Sequence, residues 1–236
     1  MKLNFLGRGA AFNPKEGNTS AYFIDGSELF LIDCGENIYE RIIQKNILNG
    51  IQTINVMITH MHPDHIGSLG TLIFHSYFVL KNPVNIIVGR NTKYVLDLEY
   101  YLAIVGCTKD MYKFVYIENL TYNKTFSNMH YFPTTHCNEL DSYGIGFYTP
   151  DGIIYYSGDT NDLETIKCVL ELEDLYALYV DCTSQNYPGN VHLYIGLLNS
   201  IVPEDKKNKI YCMHFNNDEC IRLAKEYGFN VVEVVK

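Results

Sequence analysis

Four side chains able to bind a metal ion fall within residues 60–65. They form an H-x-H-x-D-H array: His60, His62, Asp64 and His65. Imidazole nitrogens and carboxylate oxygens are the ligands that zinc and its first-row neighbours prefer. Six residues do not wrap four ligands comfortably around one ion, so the array favours two adjacent metal positions. The alternative is a surface loop, which has to account for three of the chain's eight histidines falling in six residues.

The elements around the array place it at the end of a strand. Residues 54–58 are apolar and predict a buried strand, and α/β sheets bind their ligands at the carboxyl ends of strands. Pro63 forces a turn where a helix can begin. Three further ligand candidates follow later predicted strands: His136, Asp159 and His214. Each alone is as well explained by packing, capping or a simple turn, so they support a metal site only as a set.

Apolar patterning predicts an alternation of strands and helices along the chain. Strands are predicted at residues 2–6, 19–24, 28–32, 54–58, 84–88, 153–157, 175–180 and 210–214. Helices are predicted at residues 38–47, 66–80, 92–104, 163–172, 192–200 and 219–227. Residues 112–132 are rich in Tyr and Phe and are predicted to be extended. The two halves of the chain show a comparable order of elements without a sequence repeat.

Length, composition and charge bound the class of function. The 236 residues are 47% hydrophobic and 19% charged, which is typical of a globular protein with one large or two small domains, and the family resemblance described below implies a single domain over residues 1–236. A net charge of −9 disfavours a long nucleic acid as partner, because the average surface repels polyanions. The sequence shows no signal-peptide pattern, and no apolar stretch approaches the length of about 18 residues that a membrane-spanning helix needs. We therefore expect no membrane partner. Seven cysteines without a C-x-x-C pair indicate a reducing compartment, and we expect the cytoplasm.

The order of these residues resembles that of a known superfamily over nearly the whole chain. Asp33, the H-x-H-x-D-H array, His136, the segment Ser157-Gly158-Asp159-Thr160 and His214 follow one another as in the metallo-β-lactamase-fold hydrolases. The resemblance implies an αββα sandwich, an α/β fold with two mixed sheets packed face to face and helices outside. It also implies two divalent metal ions, zinc or manganese, in a cleft along one edge.

The resemblance assigns seven metal ligands in two groups. The first metal takes His60, His62 and His136. The second metal takes Asp64, His65 and His214, and Asp159 bridges both metals. A hydroxide shared by the two ions would be the nucleophile, since metal coordination lowers the pKa of water towards neutrality. Asp33 matches an aspartate that braces the metal loop without binding metal, although a strand-end cap explains it equally well.

His192 indicates which branch of the superfamily the chain resembles. Ribonuclease Z and cyclic phosphodiesterases carry such an additional histidine, held by a carboxylate that here would be Asp181, where the ribonuclease Z pattern has Glu. Asp64, His192 and Asp181 are therefore the candidate catalytic residues. A phosphodiester expels a poor alkoxide leaving group, which a positioned imidazolium can protonate. The alternative is that His192 only caps a helix beginning near Val191.

The expected substrate is a small cyclic phosphodiester, with cyclic nucleotides among the candidates. The chain lacks the basic surface and protruding arm with which ribonuclease Z captures tRNA, and it resembles compact members of the branch, including phage enzymes that degrade cyclic-nucleotide immune signals. An aromatic side chain such as Tyr187 or Phe215 could stack on a base. The alternatives are a ribonuclease Z-like tRNA 3′ processing endonuclease, a lactonase or thioesterase, and a non-catalytic sensor or sponge. We also expect a homodimer, with residues 92–132 as candidate interface or lid.

Overall fold

Two six-stranded sheets dominate the structure, a computed structural model that describes residues 1–120 and 124–236. Each sheet belongs to one of two compact units. The amino-terminal unit comprises Lys2–Gly7, Val234–Lys236 and the described part of Asn18–Thr121. The carboxy-terminal unit comprises Met1, Arg8–Gly17 and the described part of Tyr122–Glu233. The prediction of a single domain over residues 1–236 stays a prediction.

The sheet of the amino-terminal unit contains its strands in chain order. They are β1 (Asn4–Gly7), β2 (Ser20–Asp25), β3 (Glu28–Ile32), β4 (Thr53–Met57), β5 (Val84–Val88) and β6 (Tyr112–Tyr116). The first two pairings are antiparallel and the other three are parallel. Strand β4 is almost wholly buried, as expected of an apolar central strand. The helices of this unit are α1 (Ile38–Gln44), α2 (Pro63–Ile66), α3 (Leu69–His75) and α4 (Thr92–Ile104).

The sheet of the carboxy-terminal unit repeats this arrangement. Its strands are β7 (Asn128–Thr134), β8 (Ser142–Thr149), β9 (Gly152–Tyr156), β10 (Leu175–Asp181), β11 (Ile210–Met213) and β12 (Asn230–Val231). Again two antiparallel pairings are followed by three parallel ones. Its helices are α5 (Leu163–Leu170), α6 (Ile195–Ile201) and α7 (Asp218–Glu226). The comparable order predicted for the two halves is therefore confirmed as an architecture of two mixed sheets with helices.

An apolar core joins sheet and helices within the carboxy-terminal unit. Ile166 of α5, Leu198 of α6 and Ala224 of α7 are fully buried with Val180 of β10 in one cluster. This packing fixes the ends of the parallel strands, where the ligand candidates follow. Across the described ranges, no helix combines the length and the apolar character that crossing a membrane requires.

Several predicted boundaries are wrong in ways that matter for the site. The predicted helix at 66–80 is divided into α2, α3 and a π-helical turn at Ser76–Leu80. The predicted helix at 192–200 begins only at Ile195, with Tyr194 as its N-cap. The extended segment predicted at 112–132 contains β6, a 3-10 turn at Ile117–Asn119 and the start of β7. Residues 121–123 of that segment, part of the candidate interface, lie outside the described residues.

Candidate metal centre

Asp33 braces the loop that carries the H-x-H-x-D-H array. It directly follows β3, is fully buried and adopts a left-handed conformation with φ of 62°. The Thr59 N–H donates to Asp33 Oδ1 at 2.7 Å and the Thr59 hydroxyl donates to Oδ2 at 2.9 Å. His65 Nδ1 lies 2.8 Å from the same Oδ2. Burial raises the pKa of Asp33, while these three donors favour its ionised form.

These contacts fix which nitrogen each histidine presents. A carboxylate only accepts, so His65 Nδ1 carries the proton that it shares with Asp33, and Nε2 is the nitrogen suited to a metal. His60 Nδ1 lies 3.1 Å from the Thr59 hydroxyl oxygen. Because that hydroxyl donates its proton to Asp33, it accepts from His60, which likewise presents Nε2. Asp33 therefore orients two of the four array residues through direct contact and through Thr59.

The ligand atoms of the array are spaced as a metal ion requires. His60 Nε2 and His62 Nδ1 are 2.9 Å apart. Two nitrogen ligands at about 2.05 Å from a tetrahedral zinc lie about 3.3 Å apart, so small movements would bring both onto one ion. His65 Nε2 and Asp64 Oδ2 are 3.4 Å apart, which already matches that spacing. Three of these four side chains are buried and His62 is half-buried.

The chain after β3 is packed directly against the array. The Cys34 N–H donates to the His65 carbonyl at 2.7 Å. A Cβ atom on Gly35 would lie 1.9 Å from the Asp64 carbonyl oxygen, which is a severe steric clash. Only glycine allows this close approach of two backbone segments. The glycine after Asp33 is therefore part of what positions the loop.

In the carboxy-terminal unit, His136 and Asp159 follow β7 and β9. Both are buried, and His136 Nδ1 lies 3.1 Å from the Val191 carbonyl oxygen, to which it donates. His136 consequently presents Nε2, which lies 3.9 Å from Asp159 Oδ2. Gly158 has φ of 59°, a conformation that suits glycine and turns the chain from β9 into the segment that carries Asp159.

His214 lies beside both Asp159 and Asp181 in the carboxy-terminal unit. Asp181 is the last residue of β10 and fully buried, and His214 directly follows β11 in a left-handed conformation with φ of 58°. His214 Nδ1 lies 3.3 Å from Asp181 Oδ1, while His214 Nε2 lies 3.3 Å from Asp159 Oδ2. The carboxylate behind His214 thus orients it towards Asp159. A strained conformation at a buried ionisable residue is typical of functional sites.

His192 is paired with Asp181, the partner that the resemblance implies. Its Nδ1 lies 2.7 Å from Asp181 Oδ2, which also accepts the Thr160 N–H at 3.0 Å. The side chain of His192 is 26% exposed, whereas Asp181 is buried. Burial has the largest influence on the pKa of His192 and lowers it, but the charge and hydrogen bond of Asp181 outweigh burial and leave the pKa raised. The pKa of Asp181 is lowered, because His192 and His214 together outweigh the effect of burial.

The alternative that His192 caps a helix is wrong. Helix α6 begins at Ile195 and its N-cap is Tyr194, so the imidazole is available to the site. Asp159, Asp181, His192 and His214 each place one ligand atom within 4.8 Å of the others. The donors are imidazole and carboxylate, and they suit a divalent ion. His192 is thus placed either to donate a proton beside the candidate metal ligands or to be a ligand itself.

Comparison with known proteins identifies the family. Residues 1–232 match the family model described as anti-Pycsar protein Apyc1. The chain belongs to this family. An anti-Pycsar protein Apyc1 of Bacillus phage 010DV004 is 26% identical over 248 residues, covering 92% of this chain and 90% of that protein. Ribonuclease Z of Methanocaldococcus jannaschii is 36% identical over 99 residues, or 41% of this chain and 31% of that protein.

A solved structure gives the same fold. The metallo-β-lactamase fold protein YhfI from Bacillus subtilis matches with a TM-score of 0.75 and 17% identity, covering 99% of this chain and 95% of that one. The predicted fold class and the ribonuclease Z and cyclic phosphodiesterase-like branch are therefore confirmed. Together with the His/Asp clusters, these likenesses establish a metal-dependent hydrolase.

Sequence reasoning was wrong about one aromatic candidate and missed another. Phe215 is fully buried and cannot stack on a substrate, whereas Tyr187 is 53% exposed. Phe12, in a loop that the sequence marks only by Gly, Asn and Pro, is 98% exposed. It lines a cavity together with His192 and Tyr187. A lone exposed Phe in a loop has no pattern that would single it out before the fold is known.

Proposed function

We propose that this protein is a dinuclear metal-dependent phosphodiesterase that hydrolyses small cyclic phosphodiesters, with cyclic nucleotides as its substrates. The observation that carries the proposal is the hydrogen-bonded pair of His192 and Asp181 beside Asp159 and His214. A thioesterase has less need of a proton donor at this position, since the thiolate that it expels is less basic than an alkoxide.

The pair supports proton transfer at a defined atom. Asp181 Oδ2 accepts from His192 Nδ1 at 2.7 Å, so the proton available to a substrate is on Nε2. Burial lowers the pKa of His192, but the charge and hydrogen bond of Asp181 outweigh burial and raise it, which favours the protonated ring. Nε2 donates it to the alkoxide oxygen as the phosphorus–oxygen bond breaks. Asp181, buried behind the ring, is a positioning residue that fixes the orientation of the imidazole and stabilises its positive charge.

We propose seven metal ligands. They are the seven residues that the resemblance assigns: His60, His62, Asp64, His65, His136, Asp159 and His214. Their donor atoms and the polar contacts behind His65, His136 and His214 fit zinc or manganese. When bound, two such ions supply Lewis acidity that makes water nucleophilic at neutral pH and offsets the charge of the phosphodiester. In this proposal Asp64 contributes to catalysis by binding a metal ion.

Charge and family membership support a small substrate. The net charge of −9 opposes the approach of long polyanions, while a cyclic mononucleotide carries a single phosphodiester charge. Relatives that match over 92% of this chain are named anti-Pycsar proteins. We propose that this chain shares that role and acts on a cyclic-nucleotide signal in the cytoplasm.

Turnover assays test the proposal directly. Protein loaded with zinc or with manganese is incubated with 3′,5′- and 2′,3′-cyclic nucleotides, and metal content is measured on the same samples. At least one cyclic nucleotide should be opened to a phosphomonoester. Failure against every phosphodiester with two metal ions bound per chain would refute the proposal, and tight binding without product would favour a sponge.

The second candidate, tRNA 3′ processing, is favoured by the local 36% identity to ribonuclease Z. It predicts cleavage of precursor tRNA with a steep dependence on salt, because long nucleic acids release counterions when bound. Product length on a sequencing gel at two salt concentrations separates it from the leading proposal.

A homodimer is part of the proposal. Helix α4 exposes three apolar side chains at helical spacing, Leu96, Tyr100 and Ile104, which are 57%, 70% and 67% exposed. Such a stripe within the candidate interface at residues 92–132 favours self-association. Light scattering should give twice the 27.1 kDa chain mass, and Tyr100→Glu should reduce it towards the monomer value.

A further inference from the structure

A cavity of about 360 Å³ lies in the carboxy-terminal unit with His192 in its wall. Its size falls at the lower end of the range of about 300–1,000 Å³ typical of small-molecule sites. Two loops line it, residues 10–12 on one side and residues 183–191 on the other. Asn216, two residues after His214, also contributes to the wall. The cavity thus adjoins the proposed proton donor.

The loop that carries Phe12 is fixed to the segment after His214. The Ala10 N–H and the Asn13 side-chain amide donate to the Phe215 carbonyl at 3.0 and 2.9 Å. The Phe215 N–H donates to the Arg8 carbonyl at 2.8 Å. These bonds hold the loop on both sides of Phe12, and the ring of Phe12 is 98% exposed. The ring of Phe12 is therefore held in solvent on a fixed loop, where a molecule in the cavity can contact it.

The opposite loop is fixed to the backbone of His192. Asn190 Oδ1 accepts the His192 N–H at 3.1 Å, and the Asn190 amide donates to the Gln185 carbonyl at 2.8 Å. Tyr187 lies between these residues and is 53% exposed. Each of the two loops therefore presents one exposed aromatic ring to the cavity next to His192.

The polar groups of the cavity suit a neutral, planar ligand. Among its lining residues in the described part of the chain there is no carboxylate, lysine or arginine. The side chain of Gln185 supplies an amide, which can donate to and accept from the edge of a heterocycle. The amides of Asn190 and Asn216 bond within the 183–192 segment, to Gln185, His192 and Ser184, and hold the cavity wall in place. Stacking on aromatic rings and hydrogen bonding by amides are how proteins bind nucleobases that are not stacked in a duplex.

We propose that this cavity binds the base of the cyclic nucleotide, which contacts Phe12 and Tyr187, and that it selects base-bearing substrates over other small cyclic phosphodiesters. This inference rests on the proposed function. It assigns the base to the carboxy-terminal unit, on the side of His192 that lies against residues 10–12 and 183–191.

The test compares substrates with and without a base. kcat/KM is measured for a 3′,5′-cyclic nucleotide and for the methyl riboside 3′,5′-cyclic phosphate, which lacks a base. The variants are Phe12→Ala and Tyr187→Ala, and the control is Tyr176→Ala, an aromatic of similar exposure (48%) in β10 outside the cavity. Loss of one stacking ring should lower the ratio of the two kcat/KM values by about 5- to 100-fold. The control should lower the ratio by less than about 2-fold.

A binding measurement separates failure of this inference from failure of the proposed function. Calorimetry of a phosphorothioate cyclic nucleotide should show Kd rising by the same factor in Phe12→Ala and Tyr187→Ala. If wild-type protein turns over neither substrate, the proposed function fails, and the calorimetry alone decides whether the cavity binds a base. Ratios and Kd values within about 2-fold of the control variant in both tests would overturn the inference.

Discussion

Replacing His192 with alanine tests the central claim, that its imidazole protonates the leaving group. A positioned proton donor contributes about 100- to 10,000-fold to kcat, which corresponds to about 3–5 kcal/mol of activation free energy. His192 meets the structural requirement, because its Nδ1 is held 2.7 Å from a buried carboxylate and its side chain remains 26% exposed. We therefore expect kcat for a cyclic nucleotide to fall within that range in His192→Ala.

The leaving group provides the discriminating assay. An alkoxide needs a proton, whereas the anion of p-nitrophenol leaves without one. The loss in His192→Ala should therefore be at least about 10-fold smaller for bis(p-nitrophenyl) phosphate than for the cyclic nucleotide. Equal losses on both substrates would refute proton donation and indicate a role in binding or positioning.

Stability and metal content serve as controls. In His192→Ala, Asp181 retains two partners, the Thr160 N–H at 3.0 Å and His214 at 3.3 Å. Loss of the third partner should therefore lower the free energy of unfolding by only about 1–3 kcal/mol. Two bound metal ions per chain should be retained, and a lower metal content would indicate that His192 is a ligand. The matched variant is His130→Ala, whose Nε2 contacts Asn128 on β7, and it should retain full activity.

Four further predictions follow from the site and its surroundings. Chelation by EDTA should abolish turnover and lower Tm, and zinc or manganese should restore both, as judged by activity and calorimetry. Asp33→Asn should lower the free energy of unfolding of the metal-free protein by about 1–3 kcal/mol in denaturant titrations, since a buried acceptor of three hydrogen bonds is altered. Gly35→Ala should reduce metal affinity measured by competition with a chelating dye, because its Cβ would displace the Asp64 backbone, and unchanged affinity would contradict the packing described. In native protein a thiol reagent should label the exposed Cys168 rapidly and Cys34 slowly, because burial raises the pKa of the Cys34 thiol to about 12. Mass spectrometry of the labelled peptides measures the two rates, and faster labelling of Cys34 would contradict the prediction.

The fold was predictable where local pattern and global packing agree. The apolar runs before His60 and His214 form buried strands because both patterning and sheet position favour them. The prediction of one helix at 66–80 was wrong, because a continuous apolar spacing does not record that the helix is interrupted between Ile66 and Leu69 and widens into a π-helical turn after His75. Periodicity reports which face is buried, and it says little about local breaks in the helix.

For the site, the sequence determines the ligand types and the tertiary structure determines their partners. The sequence by itself determined the donor types and the strand ends that carry them, because H-x-H-x-D-H and the residues after later strands depend only on local order. Tertiary structure alone decided the partners: Asp33 behind His65, Val191 behind His136, and Asp181 behind both His192 and His214. Polar contacts between residues 11 to 55 positions apart depend on how strands pair, and no local pattern encodes that pairing.

The loop that carries Phe12 shows the same limit most clearly. Its composition predicts only irregular backbone, and its attachment to Phe215 joins residues more than 200 positions apart. The exposure of one phenylalanine beside His192 depends on that attachment. The sequence therefore determined the donor types of a metal-dependent hydrolase, while the packing of two loops decided where the cavity that we propose as the base site lies.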